Sequence, residues 1–295
     1  MGGPWSFRVK VTSHFAMRLR VPPIRMLLWL LLFQLAGFQP EAVAAIALIG
    51  STVHSHGTSP GGSFDGLIRI QNSGTNPTTV RVYTADYRTG TNGASLFADP
   101  GVLPRSNGKW YALSADSMDV PAKSTREIAY RGVVPDDANL QGSYWSLVFV
   151  EEQSPIPPIN TNSLLKLPSA SIRTVVRFAT IVLNEIGEAE PITLKVIGRK
   201  VVEEASQRSL SLLIENRGRS MAVPVPSLEV LDDQGSTVRK VDLNPSRIFP
   251  GSFVRLSFDL SEVPDGRYTG IVVLDTGDSS HLLAVKCPIA LGTKP

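Results

Sequence analysis

Three histidines follow residue 45, and two of them could begin a metal site. His54 and His56 are two positions apart, so on a β-strand both imidazoles point to the same side. A structural zinc site takes four ligands, and no cysteine or further histidine lies near this pair in the sequence. We therefore interpret the pair as a polar strand end, and the sequence predicts no metal and no cofactor.

Sequence motifs that would indicate an enzyme are weak in this chain. The segment Ser59–Ser63 is rich in glycine, but no lysine stands where a phosphate-binding loop needs one, and no helix pattern follows it. Adjacent carboxylates occur in segments with the composition of turns or strand ends, where water solvates them: Asp136-Asp137, Glu151-Glu152, Glu203-Glu204 and Asp232-Asp233. The sequence therefore predicts a protein that is not an enzyme.

The segments that hold these residues alternate between apolar and polar side chains. Val254, Leu256 and Phe258, for example, alternate with polar neighbours. A period of two puts one face of a strand on a core and the other toward water. With 24 glycines and 22 prolines spread along the chain, no amphipathic helix of ordinary length survives after residue 45. The sequence predicts an all-β fold.

One order of turns and prolines occurs twice. In each copy two prolines stand 14 residues apart, Pro121 with Pro135 and Pro250 with Pro264. Each pair follows a strand that ends in an Asn-x-Gly turn, at Asn72-Ser73-Gly74 and at Asn216-Arg217-Gly218. A repeated order of strand, turn, strand, corner and strand indicates two tandem immunoglobulin-like β-sandwich domains.

Residues 1–45 have the composition of an export signal. Five Lys or Arg precede Met26, the run from Met26 to Phe38 is apolar except for Gln34, and Ala42-Val43-Ala44 suits a signal peptidase. A membrane-spanning helix needs about 20 apolar residues, so this run is too short to be an anchor. We predict a cleaved signal peptide, no membrane insertion after cleavage, and a periplasmic location.

The excess of basic over acidic residues in the chain comes from this leader. The chain has 29 Lys and Arg against 26 Asp and Glu, and the leader holds five of the former and one of the latter. The remainder thus carries 24 basic and 25 acidic side chains. It has no net positive charge that would attract nucleic acid, so the sequence predicts no nucleic-acid partner. The single cysteine, Cys287, allows no internal disulfide; its apolar surroundings in the sequence predict a small buried hydrophobe.

The 250 residues after the leader suffice for two sandwiches of about 100 residues each. We predict a first domain over residues 46–183 and a second over 191–291. A short acidic linker, 184–190, joins them, and 292–295 form a tail.

A long loop precedes the last strand of the first domain. Residues 151–170 contain four prolines and the leucines Leu164, Leu165 and Leu167. A loop of that length in a compact domain is usually functional or disordered. Two interpretations stay open: the leucines cover the edge of their own sandwich, or they form an edge strand offered to the sheet of another protein.

The region 120–183 resembles a known family. Ser171–Leu183 is similar to the last strand of the first domain of the periplasmic pilus-assembly chaperones, the PapD-like family. Tyr144–Phe149, followed by Pro155 and Pro157, is similar to the strand before it, and Ile128–Pro135 resembles the strand and corner before that. The likeness in architecture extends over the whole chain after the leader, whereas the motif covers residues 120–183.

The resemblance implies a mechanism of strand donation. The chaperone would fill the open groove of a pilin-like exported subunit with its last strand and the preceding loop, so main-chain hydrogen bonds supply affinity and side chains set the register. An outer-membrane usher is the second partner that it implies. The candidate partner-binding residues lie along one stretch: Leu164, Leu165, Leu167, Ile172, Arg173, Val176, Arg177 and Phe178.

The family also binds the terminal carboxylate of the subunit with two basic residues, one on the first strand and one on the last. Arg173 or Arg177 matches the last-strand member. The first strand, residues 46–53, holds no Lys or Arg, and His54 is the nearest substitute.

Two functions from different classes are therefore open. The first is a periplasmic chaperone-like protein of a Gram-negative bacterium that binds exported subunits by donating a β-strand. The alternative is an exported structural or adhesive protein that uses its tandem sandwiches as a spacer and has no chaperone activity.

Overall fold

The computed structural model describes residues 46–153, 175–188, 191–204, 207–277 and 282–292. Every regular element in these ranges is a β-strand, which confirms the all-β prediction. The predicted signal peptide lies outside them, as do residues 164–174 of the predicted binding stretch. None of the described residues belongs to a helix that could cross a membrane.

The first sandwich contains the strands β1 (Ile46–Ile49), β2 (Val53–Thr58), β3 (Ser63–Asn72), β4 (Thr78–Thr89), β5 (Ser95–Ala98), β6 (Tyr111–Leu113), β7 (Ser117–Val120), β8 (Ser124–Val133), β9 (Gly142–Glu152) and β10 (Arg177–Ile186). One sheet has the order β1-β3-β8-β6. The other has the order β2-β10-β9-β4-β5, and β7 also pairs with β4. Two sheets that face each other make this an immunoglobulin-like arrangement, as predicted.

The second sandwich contains the strands β11 (Leu194–Glu204), β12 (Gln207–Asn216), β13 (Val225–Leu231), β14 (Thr237–Asp242), β15 (Phe253–Asp259), β16 (Gly266–Asp275) and β17 (Leu283–Leu291). Its sheets have the orders β11-β12-β15 and β14-β13-β16-β17. The two tandem sandwiches predicted from the repeat are therefore confirmed.

Each sandwich encloses its own apolar core. Ile70, Ile128 and Val182 are fully buried in the first core, and Leu212 and Phe258 in the second. These side chains come from alternate positions of their strands, as the period of two predicts. Cys287 is buried in the second core as a free thiol, so its predicted role as a small apolar side chain is confirmed.

The first strand differs from its prediction as a single element over residues 46–53. Gly50 has a φ of 99°, and the chain bends there. β1 pairs antiparallel with β3 in one sheet, whereas β2 pairs parallel with β10 in the other. The reason is conformational, because a positive φ suits glycine and takes the chain out of the extended line of a strand.

Asn72 and Asn216 show that the sequence repeat is also a structural repeat. Asn72 Nδ2 donates to the carbonyls of Asn76 and Val120, at 2.8 and 3.0 Å. Asn216 Nδ2 donates to those of Ser220 and Ile248, at 2.9 and 2.7 Å. Each Oδ1 accepts from the N–H two residues ahead, that of the glycine in the Asn-x-Gly turn. The buried amide therefore ties the end of one strand to the segment before the next proline-led strand in both sandwiches.

The two sandwiches contact each other through an aromatic stack. Trp145 of β9 lies against Phe249 of the second sandwich, with ring centroids 4.5 Å apart and planes inclined by 21°. Trp145 is buried, and it lies on the outer face of its sheet rather than inside the first core. Its indole N–H donates to the Tyr87 carbonyl at 2.7 Å. The stack therefore holds the sandwiches together at this contact.

Candidate functional site

The strand β10 has one paired edge and one edge that is only partly covered. All of β10, from Arg177 to Ile186, pairs with β9. On its other side β2 pairs with Ile181–Ile186 alone. Among the residues that the structure describes, Arg177–Thr180 thus form hydrogen-bonded pairs on one side only, which leaves four residues of a sheet edge available.

The polar groups on this edge can be assigned from the hydrogen-bond pattern. The Glu152 N–H donates to the Val176 carbonyl at 3.3 Å, so even-numbered positions of β10 direct their backbone groups to β9. In antiparallel pairs the direction alternates, so Arg177 and Ala179 direct theirs away from β9. The Ile181 N–H, which donates to the Thr52 carbonyl at 2.9 Å, follows the same rule. The open edge therefore offers the N–H and C=O of Arg177 and Ala179.

The side chains of this strand alternate between the two faces of the sheet. Phe178 packs against the first core, and Thr180 and Val182 are buried on the same side. Ala179 and Ile181 instead lie on the outer face, in a cluster with Leu147 and Phe149. Phe178 is therefore occupied within its own sandwich, and the outer face carries the apolar surface beside the open edge.

Arg177 lies across the aromatic part of that outer face. Its guanidinium carbon is 4.7 Å from the ring centroid of Phe149 and 5.5 Å from that of Phe97. It also contacts the Tyr83 hydroxyl at 3.5 Å, which in turn donates to Glu151 Oε2 at 3.0 Å. Contacts of a cation with aromatic faces stabilise such an arrangement. These contacts hold the Arg177 side chain against the outer face of the sheet.

The structure describes three of the eight predicted binding residues. Val176, Arg177 and Phe178 lie at the start of β10, beside or on the open edge. The other five lie outside the described residues: Leu164, Leu165, Leu167, Ile172 and Arg173. The aromatic ring neighbours of Arg177 were not predicted, because the alternation of β4, β5 and β9 does not tell which face is the core.

His54 and Arg177 do not come together as a pair for a carboxylate. His54 pairs with Val182, five residues along β10 from Arg177, which is about 16 Å at the rise of a strand. His54 contacts Tyr130 of the core side, whereas Arg177 lies on the outer face. One carboxylate cannot reach both groups, so the two-residue carboxylate site of the resembled family is not formed by His54 and Arg177.

A cleft of about 900 Å³ lies where the two sandwiches meet. Gly57, Leu140 and Met221 are among its lining residues, and the charged side chains among its described residues are Glu185 and Glu188. Ser143 Oγ donates to Glu185 Oε2 at 2.7 Å and accepts from the Met221 N–H at 2.6 Å. The cleft is therefore acidic.

Burial raises the pKa of Glu185 above its ordinary value of 4.5, although the hydrogen bond from Ser143 and the charge of Arg105 act in the opposite direction. A carboxyl group with a raised pKa in the folded state contributes stability at low pH, and this contribution is lost as the pH rises through that pKa. At pH 7 the ionised group therefore destabilises the fold.

We expect Glu185→Gln to raise Tm slightly at pH 7, because an amide still accepts from Ser143 and carries no charge. The gain should shrink as the pH falls toward 4.5, where the wild-type carboxyl is protonated. Thermal melts between pH 4 and 8 measure this. Glu188→Gln removes a charge at an exposed position of the same cleft and is the control. Equal pH trends in the two variants would contradict the assignment to Glu185.

The described residues contain no group of three His, Cys, Asp or Glu side chains placed to hold a metal ion. Gly57-Thr58-Ser59-Pro60-Gly61 has the letters of a nucleophile elbow, but it connects the strands β2 and β3. A nucleophile elbow connects a strand to a helix. Ser59 is therefore part of an ordinary turn.

No protein-family model matches the sequence, and no curated protein matches it. Solved structures do match. The class 5 fimbriae chaperone CfaA is 14% identical, with a TM-score of 0.42 over 82% of this chain and 98% of that one. The chaperone–tip adhesion subunit complex CsuC–CsuE of Acinetobacter baumannii is 11% identical, with a TM-score of 0.40 over 82% of this chain and 98% of that one. The PapD-like domain of human CEP192 is 14% identical, with a TM-score of 0.31 over 62% of this chain and 100% of that one. At 11–14% identity these matches report a likeness of fold and nothing further.

Proposed function

We propose that this protein is a periplasmic chaperone-like protein that binds an extended segment of an exported subunit at the open edge of β10. The observation that carries the proposal is the incomplete pairing of β10. Arg177–Thr180 have β9 on one side and no described strand on the other, whereas Ile181–Ile186 are paired on both sides. A strand that adds to this edge would continue the sheet.

The backbone groups of Ala179 are central to this binding. Its N–H and C=O point to the open edge, so an added strand would exchange hydrogen bonds with them. Unpaired edge groups of this kind attract extended chains from other proteins.

The outer face favours a partner strand with apolar side chains on one side. Phe149 and Ala179 lie next to the open edge, and Phe97 is 47% exposed beyond them. An incoming apolar side chain beside the small Ala179 would cover the Phe149 ring. Burial of apolar area there would add to the main-chain hydrogen bonds.

The predicted residues before β10 extend the same proposal. If Leu165, Leu167 and Ile172 continue the edge toward the amino end, the partner strand would pair over a longer stretch than Arg177–Thr180. A pilin-like subunit suits this role, since the chaperone in the CsuC–CsuE complex holds a tip subunit. An outer-membrane usher would be the second partner of such a chaperone.

The test removes one outward hydrogen-bond donor. Ala179→Pro deletes the N–H that faces the open edge and leaves the ladder to β9 intact, because a proline is tolerated at an edge position. We expect at least about a tenfold loss of affinity, which is the effect of one backbone hydrogen bond together with an unpaired partner carbonyl. The measurement is the Kd for a pilin-like subunit, coexpressed and purified with it.

Ala179→Ser is the matched control, because it keeps the N–H and a small side chain on the outer face. It should bind within a few-fold of the wild type. Circular dichroism establishes that both variants fold. Wild-type affinity in a folded Ala179→Pro variant would refute pairing at this edge and favour the structural or adhesive alternative.

A further inference from the structure

We propose that His54, His56 and Tyr130 form a binding site for one divalent transition-metal ion of the Zn²⁺ or Cu²⁺ type. The site lies where β2, at the edge of one sheet, faces β8 in the other. It is separate from the open edge of β10 and does not rest on the proposed function.

The three side chains converge on one point. His54 Nδ1 is 3.1 Å from the Tyr130 hydroxyl, and His56 Nε2 is 2.8 Å from the same oxygen. The two histidines stand two positions apart on β2, so both rings leave the strand on the same side. Imidazole nitrogen is a ligand that Zn²⁺ and Cu²⁺ accept, and the Tyr130 oxygen lies within 3.1 Å of a nitrogen of each ring.

The phenol reaches this point because Gly66 has no side chain. Gly66 pairs with Tyr130 in the β3–β8 ladder, so both positions face the same side of their sheet. A Cβ on Gly66 would overlap the hydroxyl end of the Tyr130 ring. The ring therefore lies across β3 and carries its hydroxyl to β2. Glycine within a strand commonly marks a close approach of this kind.

Solvent can complete the coordination. Both histidines are half-buried at the edge of the sandwich, so water has access to the point where the donors meet. A site with three protein ligands and an open position needs such access. The bound ion would connect the two sheets of the first sandwich.

Metal binding is measured on the isolated chain without its leader and without an affinity tag, by titration calorimetry with ZnCl₂, CuCl₂ and MgCl₂. We expect one Zn²⁺ or Cu²⁺ ion per chain and no binding of Mg²⁺, which prefers oxygen ligands and octahedral geometry. His56→Gln should weaken Zn²⁺ binding at least tenfold, and Tyr130→Phe should also weaken it. Ser55→Ala, between the two histidines, should bind as the wild type does.

A thermal melt is the second readout. Excess ZnCl₂ should raise Tm of the wild type and of Ser55→Ala, because a ligand of the folded state stabilises it. It should leave the double variant His54→Asn, His56→Gln unchanged. The proposal is overturned if the wild type shows no saturable Zn²⁺ binding, or if that double variant or Tyr130→Phe binds Zn²⁺ as tightly as the wild type.

Discussion

Phe249→Ala should lower the free energy of unfolding by about 3–5 kcal/mol, the usual cost of truncating a buried phenylalanine. Phe249 is 3% exposed and stacks on Trp145, which is 4% exposed. It also meets the Tyr87 ring edge-to-face, with centroids 6.3 Å apart. Because the ring belongs to the second sandwich and its neighbours to the first, we also expect the two sandwiches to unfold in separate steps. Urea denaturation followed by circular dichroism and by tryptophan fluorescence measures both effects.

Phe97→Ala is the control for this variant. Phe97 lies on the same outer face and also contacts Tyr87, with centroids 5.6 Å apart, but it is 47% exposed. A half-exposed ring loses less burial, so we expect a cost of about 1 kcal/mol and a single transition. Equal costs for the two variants would show that the stack adds nothing beyond the loss of an aromatic ring.

Asn216→Asp should destabilise the second sandwich by about 3 kcal/mol or more. The amide of Asn216 donates to two carbonyls, those of Ser220 and Ile248, and the residue is fully buried. An aspartate has the same shape but no donor, so both carbonyls lose their partner and a charge is buried. The acceptor bond from the Gly218 N–H remains. Urea denaturation of the purified variant measures the loss.

Asn72→Asp should produce a similar loss in the first sandwich, since Asn72 makes the same pair of donor bonds. Asn92→Asp is the matched control. Asn92 is exposed and its Oδ1 only accepts from the Ala94 N–H, a role that a carboxylate fills equally well. A large loss for Asn92→Asp, or a negligible one for Asn72→Asp, would contradict the role given to the buried amides.

The local features of the fold could be predicted from the sequence. The period of two that Val254, Leu256 and Phe258 show becomes β15, and the repeated Asn-x-Gly turns become two equivalent buried amides. These patterns depend on neighbours within a few residues of each other. Turn residues and apolar alternation therefore predict these local features without any knowledge of the partner strands.

The site depends on pairings that no local pattern contains. Nothing near His54 in the sequence indicates that β2 lies beside β10, or that Tyr130, 76 residues away, reaches it across Gly66. The alternation around Trp145 predicts burial equally well on either face of the sheet, so the contact with Phe249 could not be foreseen. The open edge at Arg177–Thr180 likewise follows from where β2 stops, which only the register shows.

The parallel pairing of β2 with β10 has a mechanical consequence. These strands stand near the two ends of the first sandwich, and they run in the same direction. Tension applied between those ends pulls them lengthwise past each other, so the bonds that join Val53–Thr58 to Ile181–Ile186 carry the load simultaneously instead of opening in succession. A module connected in this way resists stretching along the chain.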